Sequence, residues 1–340
     1  MTIGENVPLA PLTTFGVGGV ARFFAEARTE KDIMKAVAFA AQHGLSLFAL
    51  GNGSNVLVPD NGIEGLVLKI SLRDSVAEES NGVVHLRAGA GTSWDAVVDK
   101  ACARDAFGIE NLAGIPGTLG GAAVQNIGAY GVDLSAVFEY ADGIDASTNS
   151  PRRISLEEAA FGYRTSYFKR HPDFIIATVA LRLKKHGAVQ IAYADLARAQ
   201  AEGVPLTTPR EVADAVRAIR AVKFPHSENE GTAGSFFKNP VVFREQAEAL
   251  TAKFPGLPTF PQKNGDVKLS LAWILDHALS LKGYSFGPVR LFEKQPLVIV
   301  AKRGATAADV DAFAADVANR VFSATGIAIE REVETFGAQK

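Results

Sequence analysis

The stretch 114–131 constrains the fold more than any other part of this chain, because glycine is concentrated there. Its six glycines are Gly114, Gly117, Gly120, Gly121, Gly128 and Gly131. Glycine loses more conformational freedom on folding than any other residue, so neither a helix nor a strand is intrinsically favoured in this stretch. The sequence therefore predicts an irregular, loop-rich segment at 114–131.

A second glycine turn, Gly-Asn-Gly-Ser-Asn at 51–55, lies between two short strands predicted at 45–50 and 56–58. Backbone N–H groups can converge on an anion where no Cβ atom intervenes, so two such loops could hold the two phosphates of a dinucleotide. Tight turns and close strand packing are the alternative without a ligand. The two interpretations are even for 51–55, whereas the density of glycine favours a binding site at 114–131.

Other nucleotide-binding and catalytic motifs are missing from the sequence. The glycine pairs at 51–53 and 89–91 lack the third glycine and the following helix of a Rossmann fingerprint, and no GxxxxGK[ST] phosphate loop occurs. Ser235 lies in Ala-Gly-Ser-Phe-Phe rather than in a GxSxG elbow. The six histidines, at 43, 85, 171, 186, 226 and 277, form no HExxH or HxxxH pair. We expect neither a hydrolase triad nor a metal site.

Composition indicates an ordinary globular protein. A chain of 340 residues is expected to form two or three domains. Its 35 basic and 37 acidic residues leave a net charge of -2, which disfavours nucleic acid and anionic membranes as partners. A single cysteine, Cys102, and a first segment without the charged and apolar regions of a signal peptide favour the cytoplasm. Because no heptad repeat demands a partner chain, we expect a monomer.

Capping patterns mark the starts of several predicted helices. These helices are predicted from Thr29 to about Gly44, from Thr92 to about Gly108 and from Thr208 to about Val222, and a further helix over 307–325 is predicted to end at Gly326. A final strand is predicted over 327–336, with Ala328, Glu330, Glu332 and Glu334 on one face. Three carboxylates on one face indicate either a solvated surface or a site in which one of them faces a cation.

Five motifs occur in one order along the chain. They are Gly51-Asn-Gly-Ser-Asn-Val-Leu57, Gly114-Ile-Pro-Gly with Gln125-Asn-Ile-Gly-Ala-Tyr-Gly131, Phe161-Gly-Tyr-Arg-Thr-Ser166, Ala233-Gly-Ser-Phe-Phe-Lys-Asn-Pro240 and Glu330-Arg-Glu-Val333. Together they resemble the UDP-N-acetylenolpyruvoylglucosamine reductase (MurB) family, the flavoenzymes of peptidoglycan precursor synthesis. The resemblance extends from about Leu12 to Phe336, nearly the whole chain.

The resemblance implies an α+β fold. Its FAD-binding half, of the vanillyl-alcohol-oxidase (PCMH) type, would comprise two subdomains at 1–70 and 71–207, followed by a substrate-binding α+β domain at 208–340. FAD would be bound noncovalently and reduced by NADPH. Hydride would then pass from flavin N5 to C3 of UDP-N-acetylglucosamine enolpyruvate, and protonation at C2 would give UDP-N-acetylmuramate.

The resemblance also implies three catalytic residues. Arg164 would bind the substrate carboxylate and the negative charge that develops beside it, as suits a bidentate guanidinium. Glu332 would polarise that carboxylate or hold a proton beside it, and Ser235 would protonate C2. From the residues alone, the segment around Arg164 is equally consistent with a solvated basic loop, and Ser235 with a turn serine.

Cofactor and substrate contacts follow from the same resemblance. Backbone groups would hold the FAD pyrophosphate at Gly51, Asn52, Gly53, Ser54, Asn55, Gly117, Thr118, Gly120 and Gly121, and the isoalloxazine would lie along Gln125, Asn126 and Ile127. The UDP-sugar would contact Tyr163, Tyr193, Lys223, Asn239, Lys268 and Gln295, with Tyr193 on a loop that closes over the substrate.

Two residues depart from the family pattern. Phe260 occupies a position where relatives with this loop carry a tyrosine, which puts one hydrogen bond to the diphosphate in doubt. Glu334 replaces an arginine, which inverts the charge near Glu332. Two other functions stay open from the sequence: a FAD-dependent oxidase of the same fold, and a nucleotide-sugar-binding protein without redox activity.

Overall fold

The computed structural model describes residues 1–225 and 229–338, which form two compact units. Unit 1 comprises Met1–Val7, Ala21–Asn52 and Ile63–Ala221. Unit 2 comprises Pro8–Val20, Gly53–Gly62 and Val222–Lys340. Residues 208–221, predicted in the C-terminal domain, therefore belong to unit 1, while the division of the FAD-binding half at residue 70 stays a prediction. His226 lies outside the described residues.

The helices range from single turns to five turns. They are α1 (Glu30–Gln42), α2 (Trp94–Cys102), α3 (Leu119–Gln125), α4 (Leu156–Ala159), α5 (Tyr167–Arg170), α6 (Ala194–Ala201), α7 (Pro209–Lys223), α8 (Arg244–Lys253), α9 (Leu271–Trp273) and α10 (Ala307–Thr325). Short 3-10 helices lie at Ala10–Leu12, Glu110–Leu112 and Leu134–Ala136, and a π-helical turn lies at Ile274–Ala278.

The strands are mostly short. In unit 1 they are β1 (Ile3–Pro8), β2 (Val20–Ala27), β3 (Leu47–Leu50), β5 (Ile63–Ile70), β6 (Ser75–Ser80), β7 (Val83–Gly89), β8 (Gly128–Ala129), β9 (Val132–Asp133), β10 (Phe138–Asp145), β11 (Ser150–Ser155) and β12 (Phe174–Lys184). In unit 2 they are β4 (Val56–Leu57), β13 (Glu230–Gly231), β14 (Val241–Val242), β15 (Thr259–Pro261), β16 (Val267–Leu269), β17 (Ser285–Phe286), β18 (Val289–Phe292), β19 (Gln295–Lys302) and β20 (Glu334–Thr335).

Unit 1 is built on two sheets. The first has the order β1-β2-β5-β3, and both β2 and β3 run parallel to β5. The second is antiparallel, with the order β11-β10-β12-β7-β6. Strand β12 is buried without interruption from Phe174 to Leu181, as expected for a central strand that is covered on both faces. Helix α1 packs Ile33, Ala36, Val37 and Ala40 into the same core.

Unit 2 has its own core between helix α10 and an antiparallel sheet of order β13-β19-β18-β17. Helix α10 buries Val310, Phe313 and Val317 at helical spacing. A three-stranded antiparallel sheet, β14-β16-β15, and the parallel pair β20-β4 complete the unit.

Most of the predicted helix boundaries are confirmed. Thr29 caps α1 in a capping box with Asp32, α7 begins at Pro209, and α10 ends at Gly326, whose φ of 71° provides the left-handed cap. The predicted helix from Thr92 to Gly108 is wrong at both ends, since α2 spans only Trp94–Cys102. The Thr92 hydroxyl makes no cap and has no partner among the described residues.

The prediction that 114–131 lacks regular structure is also wrong. Helix α3 occupies Leu119–Gln125, with Thr118 as its N-cap, so tertiary packing overrides the weak helix propensity of two glycines. The predicted last strand over 327–336 shrinks to β20 at Glu334–Thr335. Its earlier part meets the segment 236–238 through a single bridge at Arg331, so the alternation of one strand does not extend from Ala328 to Glu334.

A cluster of charged side chains ties α7 to α2 within unit 1. The Arg217 guanidinium lies 3.0 Å from Asp95 Oδ1 and 2.9 Å from Asp99 Oδ1. Arg210 contacts the same Asp99 oxygen at 2.5 Å. Burial would raise the pKa of Asp99, but the hydrogen bond from Arg210 and the charge of Arg217 outweigh it and hold the pKa below 3.8.

The variant Asp99→Asn tests this cluster through pH. A carboxyl whose pKa is lowered in the folded state stabilises the fold above its unfolded pKa, and this stabilisation is lost as the pH falls through the lowered value. We expect Asp99→Asn to reduce the free energy of unfolding at neutral pH, and the difference from the wild type to shrink below about pH 4. Urea unfolding measured between neutral pH and about pH 2.5 checks this. A difference that stays constant over that range would contradict it.

Candidate functional site

The beginning of the turn 51–55 lies against the stretch 117–118 within unit 1. The Asn52 side-chain amide donates to the Gly117 carbonyl at 3.4 Å. A Cβ atom on Gly51 would lie only 2.8 Å from Thr118 Oγ1. The two predicted phosphate-binding loops therefore meet, and glycine at position 51 permits the contact.

The first amides of α3 are already engaged within the protein. Gly121 donates to Thr118 Oγ1 at 3.3 Å, while Leu119 and Gly120 donate to carbonyls just beyond β7, both at 2.9 Å. These three N–H groups therefore do not point at a pyrophosphate. Among the predicted contacts at 117–121, the amides of Gly117 and Thr118 are the better candidates, and the glycines of α3 contribute by lacking side chains.

Gly120 and Gly121 differ in what their side-chain positions face. A Cβ on Gly120 would lie 2.8 Å from the Ala90 Cβ, so this glycine is required for the packing of α3 on unit 1. A Cβ on Gly121 would meet only Thr118 Oγ1, at an ordinary 3.5 Å. No packing explains glycine at 121, which fits a residue that lies against a ligand. FAD therefore fits these loops.

The residues after α3 are held in fixed orientations. Lys169 Nζ donates to Gln125 Oε1 at 3.1 Å, which sets the direction of the Gln125 amide. Asn126 has a left-handed backbone with φ of 43° and donates its side-chain amide to the Gly162 carbonyl at 2.9 Å. Asn126 Oδ1 accepts the Ser135 amide at 3.0 Å. These contacts turn the stretch 125–127, predicted beside the isoalloxazine, into a rigid corner.

Arg164 is anchored on this corner. Its guanidinium donates to the Asn126 carbonyl at 3.3 Å and to the Gly128 carbonyl, and it lies 3.5 Å from Asp133 Oδ1. The Arg164 side chain is only 16 % exposed, whereas that of Asp133 is 57 % exposed. Water therefore screens the ion pair, and arginine remains positively charged in such a setting.

The backbone around Arg164 supports this placement at some cost. Arg164 has φ of 53°, a left-handed conformation that costs about 1–3 kcal/mol for a residue of this kind. Reciprocal hydrogen bonds between Gly162 and Thr165, at 3.0 and 3.3 Å, hold the turn. A Cβ on Gly128 would come within 1.6 Å of Asp133 Oδ1 and 2.8 Å of Arg164 Nη1, so glycine at this position lets the pair close without displacing the exposed Asp133 carboxylate.

Two of the predicted catalytic residues lie next to each other in unit 2. The Phe236 carbonyl accepts the amide of Glu332 at 2.8 Å, and Phe237 forms a bridge with Arg331. Ser235 directly precedes Phe236 and forms its own bridge with Val298 in β19. Burial of Phe236 and Phe237 anchors this loop, so the backbone at Ser235 is held beside that of Glu332.

Asn55 joins the same group of residues. Its side-chain amide donates to the Glu332 carbonyl at 3.1 Å. The backbone amide of Glu334 donates to the Asn55 carbonyl, also at 3.1 Å. The neighbouring Glu330 forms an ion pair with Lys238 at 2.8 Å. Glu330 is exposed, whereas Glu332 and Glu334 are half-buried, so the three glutamates of this segment do not form one uniformly solvated face.

The residues predicted to bind the UDP-sugar are divided between the units. Tyr163 and Tyr193 lie in unit 1, and both are substantially exposed, at 39 % and 46 %. Lys223, Asn239, Lys268 and Gln295 lie in unit 2. Asn239 Oδ1 accepts the Leu271 amide at 3.0 Å at the start of α9, so its Nδ2 group is the one suited to a ligand.

The departure at Phe260 has a local structural context. Lys268 in β16 pairs with Phe260 in β15 on one side and with Val241 in β14 on the other. The Lys268 ammonium lies 5.9 Å from the centre of the Phe260 ring, within the range of a cation–π interaction. Phenylalanine can thus orient the lysine although it lacks a hydroxyl. Nothing in the structure explains Glu334 in place of arginine.

Several other site types are without support in residues 1–225 and 229–338. No group of three or more His, Cys, Asp or Glu side chains there is arranged to hold a metal ion. Each helix in this part of the chain is too short or too polar to traverse a lipid bilayer. Cys102 is buried, and this burial raises the pKa of its thiol to about 11, so it is a packing residue rather than a nucleophile.

Comparison with known proteins gives a consistent result. Residues 225–336 match the family described as "UDP-N-acetylenolpyruvoylglucosamine reductase, C-terminal domain", and residues 21–150 match the family described as "FAD binding domain". The UDP-N-acetylenolpyruvoylglucosamine reductase of Pseudomonas aeruginosa is 39% identical over 336 residues, covering 98% of this chain and 98% of the relative. That of Escherichia coli O157:H7 is 37% identical over 335 residues, covering 98% and 96%.

The chain belongs to the UDP-N-acetylenolpyruvoylglucosamine reductase family. A crystal structure of UDP-N-acetylenolpyruvylglucosamine reductase (MurB) from Thermus caldophilus is also similar, with a TM-score of 0.67 and 26% identity over 99% of each chain. The resemblance inferred from five motifs is thereby confirmed. The match at 21–150 confirms the FAD-binding half and FAD as the cofactor of this reductase-family chain, and the match at 225–336 confirms the C-terminal domain.

Sequence reasoning missed several residues that hold the predicted site residues in position. Asp133 and Lys169 orient Arg164 and Gln125, and neither lies in a pattern that announces this role. Two hydrogen bonds to Gly114 were missed as well. Asp95 accepts its amide at 2.7 Å, and Arg220 donates to its carbonyl at 3.0 Å. Each is a single charged residue far along the chain from its partner, so no local spacing could have revealed it.

The adjacent substitutions Gly120→Ala and Gly121→Ala test the cofactor loop. Both add helix propensity, up to about 1 kcal/mol for each glycine replaced. Gly120→Ala should nevertheless lower the stability of the flavin-free protein because of the contact with Ala90. Gly121→Ala should keep or raise that stability and yet weaken FAD binding at least tenfold. Urea unfolding of the flavin-free protein and titration with FAD measure both effects. Unchanged FAD affinity in Gly121→Ala would remove this residue from the cofactor site.

Proposed function

We propose that this protein reduces UDP-N-acetylglucosamine enolpyruvate to UDP-N-acetylmuramate, with NADPH as the reductant, in peptidoglycan precursor synthesis. Membership of the reductase family over nearly the whole chain supports this activity. The observation that carries the assignment to particular residues is the hydrogen bond from the Glu332 amide to the Phe236 carbonyl, because it holds Ser235 beside Glu332.

FAD, when bound, supplies hydride transfer from NADPH to the enolpyruvyl carbon C3. The protein's share is to hold the cofactor and to orient its partners. The loops at 51–55 and 117–121 are proposed to bind the pyrophosphate, with Gly117 and Thr118 offering their backbone amides and Gly121 offering the space of a missing side chain. The rigid corner at 125–127, held by Lys169 and Gly162, is proposed to border the isoalloxazine.

Arg164 is proposed to bind the substrate carboxylate and the enolate charge that develops at C2. Two carbonyls and the exposed Asp133 hold the guanidinium in place. The two carbonyls are neutral, and water screens the charge of Asp133. The positive charge of Arg164 therefore still acts on the substrate carboxylate once that carboxylate has excluded water from the site. The fixed geometry means that little reorganisation is needed when the negative charge forms.

Ser235 is proposed to donate the proton to C2. A serine hydroxyl is a weak acid at neutral pH, so it protonates only a strongly basic carbon such as a C2 carbanion. Glu332, on the neighbouring segment, is proposed to act on the carboxylate end of the same group. The UDP part would contact Tyr163, Tyr193, Lys223, Asn239, Lys268 and Gln295. Small-molecule substrates, a cytoplasmic location and a monomeric state complete the proposal.

Ser235→Ala should separate the two half-reactions. The flavin should still be reduced by NADPH at a rate within about twofold of the wild type, because the hydroxyl takes no part in that step. Transfer to the UDP-sugar should slow by at least a hundredfold. Anaerobic stopped-flow absorbance of the flavin measures both rates. Ser323→Ala, on the exposed face of α10, is the control. An equal loss in both half-reactions would remove Ser235 from the role of acid.

Arg164→Ala should also spare reduction by NADPH and impair transfer to the UDP-sugar. Losing one charge-stabilising donor group raises the barrier by about 2.7–4 kcal/mol, which corresponds to a rate loss of about 10²–10³. Arg164→Lys keeps the charge but loses the fork that contacts both carbonyls, so its loss should be smaller. The exposed Arg28→Ala is the control. An unchanged rate of substrate reduction in Arg164→Ala would exclude this role.

The overall proposal is decided by the visible absorbance of the flavin under anaerobic conditions. Bleaching by NADPH, followed by recovery on addition of UDP-N-acetylglucosamine enolpyruvate, is the expected result. Bleaching without recovery would discard this substrate and favour an oxidase, which oxygen would then reoxidise. A purified protein that neither contains nor binds flavin would favour a nucleotide-sugar-binding protein without redox activity.

A further inference from the structure

The segment 185–193 connects β12 to α6 and contains no helix or strand. None of its residues is buried. Tyr193 ends the segment as the N-cap residue of α6, but its side chain makes no capping hydrogen bond. Lys185 is held at one end by the carbonyls of Gly82 and Arg104, and Val189 and Ile191 pack partly buried against the core of unit 1, so the part of the segment nearest Tyr193 depends on few contacts.

Asn111 supplies such a contact. Its side-chain amide is only 1 % exposed and donates to two carbonyls, that of Tyr130 at 3.0 Å and that of Gln190 at 2.7 Å. Because both partners are acceptors, the Nδ2 end must face them, and both of its N–H groups are used. Asn111 Oδ1 has no partner among the described atoms. One buried side chain thus ties the glycine-rich stretch to the exposed segment.

The position of Asn111 is itself rigid. It lies in the 3-10 helix Glu110–Leu112, all of whose residues are buried. Glu110 accepts the Gly108 amide at 2.6 Å, and the Leu112 carbonyl accepts the Trp94 indole N–H at 2.8 Å. The Asn111 amide therefore projects from a fixed base, and its two acceptors must come to it.

Tyr130 provides a second contact to the same segment. Its ring meets the Tyr193 ring edge-on, with centroids 5.1 Å apart and an angle of 75° between the planes. Its backbone is left-handed, with φ of 49°. Burial raises the pKa of Tyr130 to about 12, so the hydroxyl is neutral, and it interacts with the Arg220 guanidinium. Arg220 in turn donates to the Gly114 carbonyl at 3.0 Å.

We propose that Asn111 and Tyr130 are positioning residues that hold Tyr193 ready for the UDP-sugar by fixing the segment 185–193 against the glycine-rich stretch. This inference rests on the proposed function, since it takes Tyr193 to be a substrate contact. The two residues act on substrate affinity through Tyr193 and take no part in the reduction of the flavin. Losing either contact loosens the part of the segment next to Tyr193, and the substrate must then order it on binding.

The variant Asn111→Asp tests the proposal with nearly the same side-chain volume. Its carboxyl replaces both N–H donors with an oxygen that faces two carbonyls. We expect the KM for UDP-N-acetylglucosamine enolpyruvate to rise at least tenfold, with kcat and the rate of flavin reduction by NADPH within about threefold of the wild type. Asn149→Asp, in the hairpin between β10 and β11, is the matched control and should leave KM unchanged.

Limited trypsin digestion without substrate gives a readout that does not depend on activity. Cleavage after Lys184, Lys185 or Arg198 should be faster in Asn111→Asp than in the wild type.

Tyr130→Phe keeps the ring against Tyr193 and loses only the hydroxyl, so the KM for the UDP-sugar should rise less, about threefold. This second variant decides the matter if Asn111→Asp does not fold.

The outcomes separate the two proposals. Unchanged KM and unchanged cleavage in both variants would overturn the positioning role, and so would an equal loss in both half-reactions, because that result indicates general destabilisation. A wild-type protein that does not pass electrons to the UDP-sugar would overturn the proposed function instead. Faster cleavage in Asn111→Asp would then still support the tie between Asn111 and Gln190.

Discussion

Gly114 is held by both polar groups of its backbone, and much of unit 1 depends on this grip. Asp95, on α2, accepts its amide, and Arg220, on α7, donates to its carbonyl. The cluster around Arg217 joins the same two helices. A stretch so rich in glycine has little conformational preference of its own, so its shape must be imposed from outside. Two helices that come from distant parts of the chain impose it.

The same principle recurs where the stretch meets the predicted catalytic arginine. Carbonyls of Asn126 and Gly128 can hold the Arg164 guanidinium because no side chain at position 128 stands between them and Asp133. Glycine thus serves close approach here rather than flexibility. The strained backbone at Arg164 fits this arrangement, since strain of this kind is retained where the surrounding contacts determine the conformation.

The sequence predicted the family, and through it the candidate site, because the family motifs are local. Every predicted catalytic residue lies in a short motif, and the family is confirmed over nearly the whole chain. Helix α1, predicted from the capping box at its start, and helix α10, predicted to end at Gly326, have nearly correct ends, because a cap is a contact between residues a few positions apart. The failures were both ends of α2, the whole of α3 and the last strand, where distant partners outweigh local preference.

The sequence by itself determined the chemistry available to this protein. It contains glycine loops without a Rossmann or phosphate-loop motif, and it places Arg164, Ser235 and Glu332 in recognisable family motifs. Only the tertiary structure decided which atoms these residues can use. It showed that the first amides of α3 are already engaged, that Asp133 and Lys169 contact the side chains of Arg164 and Gln125, and that Asn111 donates to the segment before Tyr193. Such contacts join residues far apart in the chain, and their energies depend on burial and distance, which no local pattern of residues records.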